Sequence, residues 1–225
     1  MRGLLLFLIA GMSLASFFLA ANCGDDTDDP AGVNGDDDND DDTNTDGDYY
    51  SEECNIDYGA DMGCDQSEPA CQHARLINID RYNHPEESDC APALDWGTQL
   101  AAVALAHSKD MCDRHFFDHI NPDNEDPFDR MEEAGIDFVA AGENIFMACG
   151  YTMDQVVDLA EESFMNEPEC EYNHRSNILA RDFKNVGVGI HSCAKDGCIY
   201  LTQDYASYEF SDLRDDTHEY CPNFD

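Results

Sequence analysis

The sequence predicts an α+β or sandwich domain in which helices cover an antiparallel sheet. Three observations predict it. Helix-like segments come first along the chain, strand-like segments come last, and ten cysteines between residues 54 and 221 can staple the fold. An even number of cysteines in an exported chain favours disulfide bonds over metal thiolates.

The helical segments are recognised by apolar residues at helical spacing and by capping residues. They cover residues 70–83, 97–114, 126–134 and a segment through 156–164. The second segment has the clearest pattern, with apolar or large residues at i, i+3, i+4, i+7 and i+11 from Leu100. Asp126-Pro127 begins the third helix, and Thr152 or Asp154 caps the fourth.

The strand-like segments lie in the last third of the chain. Val186, Val188 and Ile190 alternate with smaller or polar residues, and a second extended run covers 199–205. Between the runs, Cys193 and Cys198 flank the turn sequence Ala-Lys-Asp-Gly. This spacing predicts a hairpin with a disulfide bond between these two cysteines.

The first 23 residues are typical of a bacterial export signal. One positive charge at Arg2 precedes an apolar run from Leu4 to Ala21, and Cys23 follows. A retained membrane helix is the alternative. Small residues before Cys23 resemble the lipoprotein signal, in which the cysteine is lipidated, although Asn22 departs from that pattern. Either interpretation places the protein outside the cytoplasm, as a cell-surface or periplasmic lipoprotein anchored to the membrane or as a secreted protein.

Residues 24–53 are predicted to form a disordered acidic linker, because they contain 14 Asp or Glu and no Lys or Arg. A calcium loop is the competing interpretation of part of this segment. The residues that fit its template around Gly47 are Asp42, Asn44, Asp46, Asp48 and Glu53. A cysteine-containing lead-in follows at 54–69, then the domain at 70–207 and a tail at 208–225.

The charge balance excludes nucleic-acid binding through a basic surface. The chain has 11 Lys and Arg against 50 Asp and Glu, a formal net charge of −39. Residues 54–225 alone hold 10 basic and 36 acidic residues, so the folded part is acidic in its own right. Such a surface does not neutralise phosphates.

Four short segments combine ionisable residues with apolar neighbours. They are 115–119 (HFFDH), 142–145 (GENI), 164–167 (FMNE) and 173–179 (NHRSNIL). Two imidazoles and two carboxylates are a competent set for a divalent cation, because they supply nitrogen and oxygen ligands. The same groups could act as general acid and base without a metal.

The order of these segments resembles the bacterial branch of the CAP (SCP-like) superfamily, which includes cysteine-rich secretory proteins, insect venom antigens and plant pathogenesis-related proteins. The resemblance covers residues 70–207. It rests on ARLINIDRYN, APALDWGTQLAAVALAHSKDM, FFDHINPDNEDPFDRMEEAG, AGENI, FMNE, HRSNIL and KNVGVGI.

The resemblance implies an α-β-α sandwich with an open cleft that carries a tetrad of His119, Glu143, Glu167 and His174. In many members the histidines bind a divalent ion, often zinc, and here they would be His119 and His174. Phe164 stands where the family usually has Trp, and residues 168–173 lengthen the interval before His174. If Glu167 is not the second glutamate of the tetrad, the nearby substitutes are Glu161 and Glu162.

Three functions remain open at this stage. The first is a binding module whose acidic cleft holds a cation and an extracellular lipid, glycan or protein. The second is a metal-assisted hydrolase in which Glu143 or Glu167 activates water. The third is an interaction protein whose tetrad is only a structural polar network. His115 is interpreted as a solvated helix-end residue and Arg175 as an ion-pair partner, whereas His73 and His107 have no motif context.

Overall fold

The computed structural model describes residues 50–51, 56–57, 61–169 and 172–210. The export signal with Cys23, the calcium-loop residues and the tail beyond residue 210 lie outside these ranges. Within them, no helix is long and apolar enough to cross a membrane.

Five helices and six strands follow one another along the described residues. The helices are α1 (Pro69–Asn83), α2 (Thr98–Arg114), α3 (Pro127–Glu133), α4 (Met153–Met165) and α5 (His174–Leu179). The strands are β1 (Tyr50–Ser51), β2 (Ile56–Asp57), β3 (Asp95–Trp96), β4 (Ala140–Cys149), β5 (Asn185–Cys193) and β6 (Cys198–Ser207). The four helices predicted from the sequence are confirmed. Asp126 caps α3 and Thr152 caps α4, each in a capping box that satisfies the free N–H groups of the first turn.

The main sheet has four strands in the order β3-β5-β6-β4. β6 pairs antiparallel with both β4 and β5, whereas the two-residue strand β3 pairs parallel with β5. The predicted α+β class with helices flanking an antiparallel sheet is therefore confirmed, and the sheet departs from antiparallel pairing at β3. Tyr50 and Ser51, in the predicted linker, pair with β2 in a separate two-stranded sheet.

Helices cover both faces of the main sheet, which gives the three layers of an α-β-α sandwich. On one face, residues of α1, α4 and α5 pack against Val186, Val188 and Leu201 in the largest apolar cluster. On the other face, α2 and α3 pack against Ala141 and Ala206. Because both faces are covered, the middle of the sheet is buried from water.

Two glycines of β5 set the distance between helix α2 and the sheet. A Cβ atom built on Gly189 would lie 2.0 Å from the backbone nitrogen of Leu105, and one built on Gly187 would lie 2.1 Å from that of Ala101. The helix backbone thus occupies the space that side chains would need. The alternation of valine and glycine in β5 reflects this close approach on one face and apolar packing on the other.

Strand β4 and helix α5 were not identified from the sequence as regular elements. Residues 140–145 of β4 are all buried, so the strand lacks the alternation of apolar and polar residues that reveals a half-exposed strand. Helix α5 has only six residues, which is too short for a helical period to be visible.

The predicted disulfide bond between Cys193 and Cys198 is wrong. The hairpin is present and the two cysteines face each other across it, but Cys193 bonds to Cys112 and Cys198 bonds to Cys149. Helix α2 and strand β4 flank the hairpin and supply these nearer partners, which local sequence cannot reveal. A further bond joins Cys64 to Cys71.

Replacing Gly189 with Ala is expected to destabilise the protein by roughly 3 kcal/mol, because the new methyl group forces α2 away from the sheet. Ser192→Ala is a matched control, since Ser192 is an exposed residue of the same strand. Urea unfolding followed by circular dichroism measures both variants. Equal midpoints for Gly189→Ala and the wild type would contradict the close packing of α2 on β5.

Candidate functional site

The first half of the site is a buried carboxylate paired with an imidazole. Glu143 lies on β4 and His119 lies in the loop between α2 and α3. The His119 Nδ1 atom is 2.7 Å from Glu143 Oε1, and Arg130 Nη2 donates to Glu143 Oε2 at 2.6 Å. Only 1% of the Glu143 side chain is exposed, against 17% for His119. The acid is therefore interior and the imidazole reaches the surface.

Arg130 connects the His119 loop to the sheet. Besides Glu143, its guanidinium donates through Nη1 to the carbonyl oxygens of His119 at 2.8 Å and Glu125 at 3.0 Å. Helix α3 begins at the capping box of Asp126 and carries Arg130 in its last turn. One side chain thus fixes both the backbone of the loop and the carboxylate that the loop histidine contacts.

Glu143 is held in its ionised form. Burial acts to raise its pKa, but the hydrogen bond from His119 and the charges of His107 and Arg130 outweigh burial and lower the pKa below its usual value. The carboxylate consequently remains an acceptor for the His119 ring.

The second half of the site is another histidine–carboxylate pair, formed by His174 and Glu167. His174 Nδ1 is 2.6 Å from Glu167 Oε1, and the backbone N–H of His174 donates to Glu167 Oε2 at 2.7 Å. Asn173 caps α5 directly before the histidine. The Phe164 ring stacks on the imidazole, with centroids 4.5 Å apart. Burial acts to raise the pKa of Glu167, but its bonds with His174 lower it overall.

Two buried asparagines join the two histidine–carboxylate pairs. Asn144 Nδ2 donates to the carbonyl oxygen of His174 at 3.1 Å, and Asn177 Nδ2 lies 3.3 Å from that of Glu143. Asn177 also donates to Asn144 Oδ1 at 2.8 Å. Sequence analysis assigned neither asparagine a role, although each lies within a singled-out segment. Strand β4 is the element on which both halves meet.

A buried polar network continues from Asn144 into the core. Asn144 Nδ2 donates to Gln203 Oε1 at 2.7 Å, and Gln203 Nε2 lies 2.5 Å from His73 Nε2. The other ring nitrogen of His73 is 2.9 Å from the Val157 carbonyl oxygen and donates to it, so Nε2 is the acceptor. Gln203 also donates to Glu161 Oε2 at 3.2 Å. His73, for which no role was assigned, therefore supports the site from within the core.

Burial shifts both ionisable members of this network toward their neutral forms. It lowers the pKa of His73 to about 4. It also raises the pKa of Glu161 well above its ordinary value, and neighbouring Asp80 adds to this. A neutral histidine beside a neutral acid avoids two uncompensated charges in the interior.

The substitutes considered for Glu167 do not contact His174. Glu161 lies in the core network and Glu162 is exposed on α4, whereas Glu167 makes the contact itself. The loop insertion before His174 does not displace the acid, because the acid also accepts from the first N–H group of α5.

Two further residues that the sequence analysis singled out are His115 and Arg175. His115 is exposed and ends α2 in a left-handed conformation with φ of 58°. Arg175 Nε donates to Glu87 Oε1 at 2.8 Å, and its guanidinium also donates to the carbonyl of Met165. Arg175 thus fixes the start of α5 to neighbouring elements.

The two imidazoles are the groups of this site that could hold a cation. Each Nδ1 faces a carboxylate, and the structure gives neither His119 Nε2 nor His174 Nε2 a hydrogen-bond partner among the residues it describes. Across those same residues, no three His, Cys, Asp or Glu side chains cluster closely enough to hold a metal ion.

Comparison with known proteins identifies the family. The sequence profile of CAP, the cysteine-rich secretory protein family, matches residues 74–205, which is more than half of the chain. In Bacillus subtilis (strain 168), the uncharacterized protein YkwD is 42% identical over 91 residues, 40% of this chain and 32% of YkwD. The uncharacterized membrane protein YlbC is 35% identical over 115 residues, 51% of this chain and 29% of YlbC. The chain thus spans about a third of these curated relatives.

Several solved structures resemble the chain. An extracellular SCP-domain protein from Bacillus anthracis str. Ames has 32% identity and a TM-score of 0.49, over 61% of this chain and 40% of that one. An outer surface protein from Borrelia burgdorferi has 14% identity and a TM-score of 0.49, over 65% of this chain and 97% of that one.

The buried His73 is expected to make stability depend on acidity. The unfolded chain takes up a proton near pH 6.5 and the folded protein only near pH 4, so stability falls by about 3 kcal/mol as the pH drops through this window. His73→Gln removes this loss. Unfolding midpoints measured from pH 4 to 7 test it, with partly exposed His191→Gln as the control. Parallel profiles for wild type and His73→Gln would contradict a buried, neutral His73.

Proposed function

This chain belongs to the CAP, or cysteine-rich secretory protein, family, and from that premise we propose that it is an extracytoplasmic binding module. Its two histidine–carboxylate pairs would hold a divalent cation, for which zinc is the first candidate, and an extracellular ligand would bind at or beside the ion. One observation carries the proposal: a carboxylate occupies the Nδ1 side of both imidazoles.

This arrangement determines the tautomer of each ring. A carboxylate beside Nδ1 accepts a hydrogen bond from the Nδ1–H group, so the lone pair of the ring lies on Nε2. Metal-ligating histidines commonly donate their second N–H to a carboxylate in this way, which orients the ring and raises its basicity. Glu143 and Glu167 therefore support the imidazoles, and the proposed ligands are His119 and His174.

Two imidazole ligands leave most of the coordination shell of an ion to water or to a bound molecule. A cation held in this way supplies a positive charge that can bridge the protein to an anionic or carbonyl group of the ligand. The acidic domain also attracts cations to its surface. We expect exchangeable binding, weaker than that of a closed structural zinc site.

The side chains beside the histidines indicate what part of a ligand could bind there. Phe117 and Ile120 flank His119 in sequence and are exposed, and Tyr172 is exposed two residues before His174. Exposed aromatic and aliphatic groups beside a polar site favour a ligand with an apolar portion. A lipid, a glycan that stacks on aromatic rings, and a protein segment all satisfy this requirement.

A hydrolase is the alternative, and it has less support. Both oxygens of Glu143 accept from His119 and Arg130, and both oxygens of Glu167 accept from the ring and backbone of His174. Neither acid has the free oxygen and raised pKa suited to a general base. Proton transfer would fall to an imidazole Nε2 atom.

The proposed location outside the cytoplasm rests on the disulfide bonds and the export signal. Bonds such as Cys112–Cys193 and Cys149–Cys198 persist in oxidising compartments. We propose that Cys23 carries a lipid and that the acidic segment after it spaces the domain from the membrane.

The wild type is expected to bind zinc stoichiometrically, and the double variant His119→Ala/His174→Ala to lose this binding while keeping its fold. Titration calorimetry measures binding, and circular dichroism checks the fold. His191→Ala controls for loss of an unrelated imidazole. Glu167→Gln should weaken zinc binding about tenfold, since it replaces the charged acceptor behind a ligand with a neutral amide, while exposed Glu162→Gln should leave binding unchanged. Equal zinc uptake by the wild type and the double variant would overturn this site.

Replacing Cys23 with Ser is expected to abolish fatty-acid labelling of the protein in its native host. Labelling with a palmitate analogue, followed by membrane fractionation, measures lipidation and tethering together. Cys64→Ser is the control, since it removes a cysteine that the fold uses in a disulfide bond. A Cys23→Ser protein that still incorporates label would refute the anchor.

A further inference from the structure

A second buried acid lies directly opposite Glu143. Asp204 is its register partner on β6, so the two side chains project from the same face of the sheet. Asp204 is fully buried, and neither of its carboxyl oxygens has a hydrogen-bond partner in the described part of the chain. Buried polar atoms are rarely left in this state, so the group requires a physical explanation.

The charges around the two acids are unbalanced. Arg130 is the cation that faces both of them, and Asp204 has Gly187 as its other register partner, which contributes no side chain. The titratable groups from the elements packed around this pair are His107 of α2, Arg130 of α3, His119 of the loop and Tyr205 of β6. Burial lowers the pKa of His107, so this ring is not a lasting second positive charge beside the two acids. One guanidinium can compensate one buried carboxylate but not two.

Hydrogen bonding decides which acid is ionised. Glu143 accepts from His119 and Arg130, which stabilise its negative charge. Asp204 has no such donor in the described part of the chain, and it interacts with the Glu143 carboxylate opposite it. Two carboxylates that share one site cannot both remain charged, so the acid without donors keeps the proton.

We propose that Asp204 is the protonated member of a buried carboxylic acid–carboxylate pair with Glu143, and that it is a positioning residue for the His119 imidazole. The Asp204 hydroxyl donates to Glu143, which thereby receives three donors from three separate parts of the chain. This network fixes the orientation of Glu143, and Glu143 in turn fixes the ring of His119. The effect on cation affinity rests on the function proposed above, whereas the shared proton does not.

Burial of Asp204, together with the negative charge of Glu143, raises the pKa of Asp204 well above its ordinary value of 3.8. The folded protein therefore binds this proton more tightly than the unfolded chain does. The protonated Asp204 contributes its full stabilisation below the ordinary pKa of an aspartic acid. This stabilisation is lost as the pH rises through the raised pKa of the folded protein. An amide at this position keeps a donor toward Glu143 and removes this loss.

The first experiment needs no metal. Infrared difference spectra at pH 7 between the wild type and Asp204→Asn should contain the carbonyl band of one protonated acid. The unfolding midpoint of Asp204→Asn should rise relative to the wild type as the pH increases from 4 to 8. Absence of the band, together with a midpoint difference that does not change with pH, would overturn the shared proton.

The second experiment measures positioning. Asp204→Asn should keep wild-type zinc affinity within about twofold, while Asp204→Leu, which has no donor, should weaken it about tenfold. Thr202→Val is the matched control, because Thr202 is buried two residues away on the same face of β6 and hydrogen-bonds Ser108 instead. The His119 Nδ1–H resonance, followed by NMR without metal, should persist in Asp204→Asn and be lost to exchange in Asp204→Leu.

The outcomes separate the two proposals. If the wild type binds no zinc but the band, the midpoints and the His119 resonance behave as expected, the proposed function fails and the positioning role stands. If Asp204→Leu folds and matches Asp204→Asn in both zinc affinity and the His119 resonance, the positioning role is refuted.

Discussion

The site depends on one buried carboxylate. Glu143 is almost completely removed from water, yet it accepts from His119 of a loop and from Arg130 of α3. An ionised acid in the interior is tolerated only when such donors are present, and removing either one would leave an uncompensated charge. Because Glu143 needs both donors, its burial fixes the positions of the His119 loop, helix α3 and strand β4 relative to one another.

Strand β4 connects this half of the site to the half that contains His174. It is an edge strand of the sheet and pairs with β6, and its Asn144 side chain donates to the carbonyl oxygen of His174 at the start of α5. Asn144 and Asn177 satisfy the backbone groups at this junction, and Gln203 with His73 extends the network through the core. Rigid regular elements thus carry the supporting groups, while His119 lies on a loop and His174 opens a short helix.

Both halves of the site pair a carboxylate with a histidine ring, but the residues come from different kinds of structural element. One acid is on a strand and contacts a histidine 24 residues away in sequence, while the other acid follows a helix and contacts a histidine seven residues later. Both pairings place a carboxylate at Nδ1, which sets the basicity and direction of the free ring nitrogen. This shared chemistry favours binding through the rings over catalysis by the acids.

The sequence by itself determined the acidic character, the helices α1 to α4, the β5–β6 hairpin and, through its ordered motifs, the family. Helical spacing, capping residues and turn residues are local signals, and these elements depend mainly on them. Strand β4, helix α5 and the disulfide partners were decided by tertiary structure, because burial on both faces erases periodicity and the nearest cysteine depends on how α2 and β4 pack. The environments of Asp204, His73 and Arg130 were also decided there: a residue's charge state depends on which groups fold around it, and those groups come from distant parts of the chain.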